Sequence, residues 1–221
     1  MEICKLEHIR KDYRMGEVVT PLKDVSLTVG EGDFIAVEGP SGIGKSTLLY
    51  VLGTLLQSDE GTYTFGGKDV SAMSDKEKSA LRAKKIGFLF QDSTMIQALT
   101  LRENLLFTQS VCGKKDPKQV EALLYRFGLE DRADFFPHQL SGGQRRRAMA
   151  ARALIHNPAL ILADEPTNDL DEHWSGEIIR ILKEQAEQGT AVVMVTHNSR
   201  WAENATRRCR LEDGILVDME T

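Results

Sequence analysis

The sequence predicts an α/β fold organised around a glycine-rich turn. Three observations carry that expectation. Short apolar runs alternate with amphipathic, charged stretches along the 221 residues, the rhythm of alternating strands and helices. Phe34-Ile35-Ala36-Val37 runs directly into a turn rich in glycine. Leu160–Ala163 and Ala191–Val195 are continuously apolar and bounded by polar residues, as strands covered on both faces should be. A chain of this length suits one domain, 1–221, with room for an inserted subdomain.

In order, Phe34–Val37 reads as a buried strand and about Lys45–Leu56 as the helix after the turn. Thr62–Phe65 and Ile86–Phe90 read as strands, separated by a charged helix at Asp75–Lys85. Residues 92–140 change character. Leu101, Leu105 and Leu106, then Val120, Leu123, Leu124 and Phe127, recur at helical spacing with no strand-like run, so a mainly helical insertion is expected. Asp171–Gln188 reads as a helix stopped by Gly189, and Cys209–Val217 as a strand-like segment.

Composition bounds the function. Hydrophobic residues make up 41% and charged residues 28%, ordinary for a folded domain. The formal charge of −5 offers no basic footprint, so no nucleic-acid partner is expected. Cys4, Cys112 and Cys209 are odd in number and far apart, which suggests neither a disulfide framework nor a zinc site. Met1–Lys5 shows no leader pattern, and the apolar runs are too short to cross a bilayer. The expected location is the cytoplasm, with any membrane contact made through a partner.

Gly39-Pro40-Ser41-Gly42-Ile43-Gly44-Lys45-Ser46 fits the phosphate-binding pattern G-x-x-x-x-G-K-[ST] between a strand and a helix, the context that pattern requires. Successive backbone N–H groups and the helix start suit phosphate. Lys45 is placed to reach the β/γ-phosphates and Ser46 to ligate Mg²⁺, with Thr47 beside it. Leu160–Ala163 then delivers Asp164 and Glu165 at a strand end, where open α/β sheets bind ligands. Asp164 is the second metal candidate. Glu165, pointing differently because strand side chains alternate, is the candidate base for an attacking water. ATP and Mg²⁺ are the implied cofactors.

Leu140-Ser141-Gly142-Gly143-Gln144 resembles, residue for residue, the signature motif of ABC ATPases. It is another helix start, with Ser141 and glycine amides suited to a γ-phosphate. The resemblance covers nearly the whole chain. It implies a P-loop core of the ABC type with an antiparallel β subdomain and an inserted helical subdomain. It also makes Gln91 the Q-loop residue that senses Mg²⁺ and water, His197 the switch histidine, Asp169-Leu170-Asp171 the D-loop and Tyr13 the adenine-stacking aromatic. In such a family two subunits pair head to tail, each signature motif facing the other's P-loop. A homodimer is therefore expected.

Wording such as Ser46–Gly53, Ile86–Gln91 and Ala163–Thr167 is similar to the ATPases of macrolide-efflux and lipoprotein-release transporters. That implies a permease on a separate chain, with this subunit attached peripherally to the inner face of the cell membrane. Met95, Ile96, Ala98 and Leu99 are the candidate contacts for it, or else they pack the subdomain itself. Asn168 departs from the glycine common in that subgroup. Arg145-Arg146-Arg147 is unusually basic there and reads as a solvated helix face. The alternatives are a cytosolic ABC ATPase or a regulatory one without a transport role.

Overall fold

The computed structural model describes residues 1–91 and 95–219, with the side chain of Met15 left aside. The first residue of the expected helical insertion, Asp92, lies outside that range. The architecture is mixed α/β, as the alternating pattern predicts. One sheet holds ten strands in the order β5-β4-β1-β2-β10-β9-β3-β8-β7-β6.

Its antiparallel half opens the chain. β1 (Glu2–Met15) and β2 (Glu17–Gly30) form a long hairpin turned at Gly16, with Leu6 opposite Leu27 and Tyr13 opposite Val19. β4 (Glu60–Phe65) pairs with β1, and the short β5 (Lys68–Asp69) pairs with β4. The apolar pattern predicts no strand before residue 34. Register shifts in β1 explain the omission, because each bulge resets the inward–outward alternation that marks a half-buried strand.

The other half is parallel. β3 (Phe34–Glu38) lies between β8 (Ala191–Thr196) and β9 (Arg207–Glu212), and β7 (Leu160–Asp164) joins β8 to β6 (Ile86–Leu89). Both faces are covered, which accounts for the unbroken apolar runs. Phe34, Ala36, Ile161, Ala163, Val192 and Met194 face one core. Ile35, Val37, Leu160, Leu162, Val193 and Val195 face the other. Cys209–Val217 is not one strand. It turns back at Asp213 and Gly214, both with positive φ, so β10 (Ile215–Asp218) runs antiparallel to β9.

α1 (Lys45–Leu52) follows the glycine-rich turn and ends four residues before the expected Leu56. Gly53 stops it. The Phe88 ring sits 2.3 Å from where a Cβ would be, and Thr54 takes φ 56. α2 spans Asp75–Lys85 as the charge pattern indicated, started by a Ser74/Glu77 capping box. Between β6 and β7 the described residues hold α3 (Leu101–Val111), α4 (Pro117–Arg126) and α5 (Gly142–Leu154) and no strand. α6 (Glu172–Glu187) is capped by Asp171, and α7 (Ser199–Ala202) follows β8.

Candidate active site

The glycine-rich turn leaves β3 and wraps back to start α1. Gly44 sits at φ 117, and a Cβ there would lie 2.7 Å from the Pro21 carbonyl oxygen. Only glycine fits. The first turn of α1 has neither a side-chain cap nor an acidic residue, so its N–H groups stay available to an anion. Lys45 Nζ donates to the carbonyls of Gly39 at 2.6 Å and Pro40 at 2.9 Å, which holds the ammonium over the loop. Ile43 packs on the core instead of facing the cleft.

A cleft of about 380 Å³ opens over this loop. Ser41, Gly42, Gly44, Lys45, Ser46 and Thr47 line it, and so do Tyr13, Gln91, Asp164, Glu165 and His197. Residues from the N-terminal hairpin, β3, β6, β7 and β8 thus converge at one place. Val19, Pro21 and Asn168 line it as well, and the sequence reading gave them no site role. For Val19 a signal existed: it stands opposite Tyr13 in the hairpin, but seeing that needs the register.

The two acids have different surroundings. Asp164 ends β7 and is buried, which pushes its pKa up, with repulsion from Glu165 adding to the shift. A hydrogen bond from Ser46 and the cations Arg146 and Lys45 pull the other way. Glu165 has already left the strand, with φ 46 and its amide on the Val195 carbonyl. Its Oε2 accepts from Thr196 Oγ1 at 3.1 Å and its Oε1 lies 2.8 Å from His197 Nδ1. The carboxylate is held by β8 while the His197 side chain remains 58% exposed. A left-handed φ at a non-glycine residue costs on the order of 1–3 kcal/mol and tends to mark functional sites.

The signature residues are elsewhere. Ser141, Gly142, Gly143, Gln144 and Asp169 line a second, open cleft with Arg147 and Trp174. There α5 caps itself: Ser141 Oγ accepts from the Gln144 amide at 3.2 Å, and Gln144 Oε1 accepts from the Ser141 amide at 2.9 Å. Asp169 has φ 64 and lies against the two glycines. The predicted nucleotide-binding residues therefore fall into two groups on one chain.

One expectation needs correction. The arginine run is not a solvated face. Arg146 is 3% exposed and spends its guanidinium on backbone carbonyls at the ends of β6 and β7. Arg147 lies 4.0 Å over the Trp174 ring and donates to the Gly128 carbonyl at 2.9 Å. Polar residue type concealed both, since an arginine inside looks like any other in sequence. Met95 is buried in the core of the helical segment, so it packs that segment, whereas Ile96 and Ala98 are exposed. Ile96 instead lines an apolar groove of about 440 Å³ with Leu55, Phe88, Phe90, Phe107 and Val111.

No described helix is long and apolar enough to cross a membrane. A family model described as ABC transporter matches residues 22–168. The macrolide export ATP-binding/permease protein MacB of Syntrophobacter fumaroxidans is 41% identical over 98% of the chain and 31% of its own length. That of Chlorobaculum tepidum is 42% identical over 98% of the chain and 34% of its own length. The chain thus spans about a third of these curated relatives. Among solved structures, the ATP-binding cassette MJ0796, a dimer in a post-hydrolysis state bound to ADP and Pi, superposes with TM-score 0.93. It is 35% identical, covering 99% of this chain and 100% of that one.

Proposed function

Because the chain belongs to the ABC transporter family, we propose that it binds and hydrolyses Mg·ATP at the interface of two copies and thereby drives a membrane permease. The observation that carries this reading is the division of the site. The cleft over Lys45 holds a phosphate loop, a metal-side acid and an oriented carboxylate, while the Ser141 helix start faces outward on a separate surface. One chain offers two complementary halves, and a head-to-tail pair completes both.

Each residue has a task in that cleft. The loop amides and Lys45 hold the phosphates, and Tyr13 offers an aromatic face to the base. Ser46, Gln91 and Asp164 are the residues that would hold Mg²⁺. They fit it: the hydroxyl of Ser46 already meets Asp164, and oxygen donors are what this hard cation takes. The ion would neutralise phosphate charge. Glu165, oriented by Thr196 and His197, polarises the attacking water and accepts its proton. His197 is exposed enough to reach the γ-phosphate. Asp169, against Gly142 and Gly143, lies on the surface that meets the second copy.

ATP joins the copies because its γ-phosphate touches both, and hydrolysis removes that shared contact. Only such differential affinity shifts open toward closed. The names of the relatives pair ATP-binding with permease function, and the apolar groove beside Ile96 and Phe107 is the surface we assign to the permease. The chain then sits in the cytoplasm, held peripherally at the inner membrane face by that contact.

The test is purification of the Glu165→Gln protein with ATP from detergent-solubilised membranes. A co-purifying polytopic membrane protein is the expected result, and recovery of soluble partners or ribosomes alone would refute the transport role.

A further inference from the structure

The signature helix and the catalytic carboxylate lie in different clefts, yet one side chain joins them. Arg146 belongs to α5, the helix that Ser141 caps. Its guanidinium runs inward to where β6 and β7 end. Nε donates to the Pro166 carbonyl at 3.3 Å, Nη1 to those of Gln91 at 3.0 Å and Phe90, and Nη2 to those of Asp164 at 2.8 Å and Glu165. The position matters because the β6–β7 ladder stops at the pair Leu89 and Ala163. Beyond it the two strands give up their mutual pairing, and Glu165 turns into the left-handed region. Arg146 collects the carbonyls where that pairing ends. Buried carbonyls need partners, and a planar group with five donors is the side chain able to serve so many at once.

We propose that Arg146 is a positioning residue that couples the signature helix to Gln91 and Glu165 of the same chain. The inference rests on the ATPase reading given above. When the Ser141 end of α5 engages a nucleotide held by a second copy, a rigid fork five residues beyond Ser141 carries that displacement to both strand ends. The backbone of Gln91 and Glu165 then shifts with α5. Catalysis in one cleft becomes dependent on engagement of the other, without any ligand contact by Arg146 itself. Reacting groups are sensitive to such placement, an error of about 1 Å costing roughly a hundredfold in rate. Nucleotide binding, which rests on the loop and Lys45, is spared.

The experiment compares Arg146→Lys and Arg146→Gln with the unaltered chain in ATP affinity, KM, kcat and thermal midpoint, all assayed well below that midpoint. A lysine keeps the charge and three donors but loses the fork; a glutamine keeps two donors and no charge. Expected are ATP affinity and KM within about twofold, and a kcat lowered roughly ten- to a hundredfold, with lysine retaining more than glutamine. In the Glu165→Gln background, Arg146→Lys should leave the ATP-bound dimer intact. Unchanged kcat in folded variants overturns the proposal. So does a joint fall of affinity, dimerisation and kcat, which is the mark of a merely structural residue. Should both variants fail to fold, amide exchange in the Glu165→Gln protein decides. ATP should alter protection at residues 89–91 and 164–168 more in that protein than in the Glu165→Gln/Ser141→Arg double variant, whose signature helix cannot engage a second copy, and equal changes in the two overturn it. Failure of the unaltered chain to bind or hydrolyse ATP is a separate result, which refutes the ATPase reading itself.

Discussion

Two helix starts in this chain are suited to phosphate, and they are built in opposite ways. At α1 the amides follow Gly44 with no capping side chain and no acid in the first turn. At α5 the amides of Ser141 and Gln144 are already satisfied within a capping box. The first is an open anion site that a lysine attends. The second is a finished helix end whose hydroxyl and glycines face outward. An open site binds ligand by itself, whereas a self-capped one gains little from free phosphate and more from a ligand delivered on another molecule. On the proposed function, the contrast gives primary binding to α1 and recognition of a second copy's nucleotide to α5.

The largest expected effect separates chemistry from both helix ends. Glu165→Gln keeps the α1 contacts and removes the carboxylate held by Thr196 and His197. Its kcat should fall about 10²- to 10⁴-fold with ATP affinity retained, as single-turnover assays would read. Wild-type turnover in that variant would move the base elsewhere.

Lys45→Ala strikes the open end directly. Losing a charge-assisted contact of about 1.5–3 kcal/mol should weaken ATP binding roughly ten- to a hundredfold, measured by equilibrium titration. If affinity holds, α1 is not the primary phosphate site.

Ser141→Arg puts a bulky cation on the self-capped end. ATP affinity of the single chain should stay within about twofold, since that end lies in the other cleft. ATP-driven dimers should disappear from a sizing column. Persisting dimers would dissolve the distinction between the two ends.

Much of this site is legible in the order of the residues alone. The strand–glycine–Lys45 run, the acids after Leu160–Ala163 and the Ser141–Gln144 stretch are local patterns, because contiguous residues carry each one. The parallel strands are legible too, since burial on both faces writes continuous apolar runs into the sequence. Position within the site is less so. Val19 faces Tyr13 only through a strand register, and Arg146 becomes a buried fork only where the ends of β6 and β7 meet over α5.

The sequence by itself therefore determined the α/β alternation, the phosphate loop and the identity of the acids, all properties of neighbouring residues and their periodicity. Tertiary structure alone decided that the residues proposed to bind nucleotide divide between two clefts, that the N-terminal residues pair as a bulged hairpin, and which arginine is buried. Those outcomes depend on contacts between segments far apart in the chain. Periodicity reports which face of an element is apolar, and it carries no record of what that face will meet.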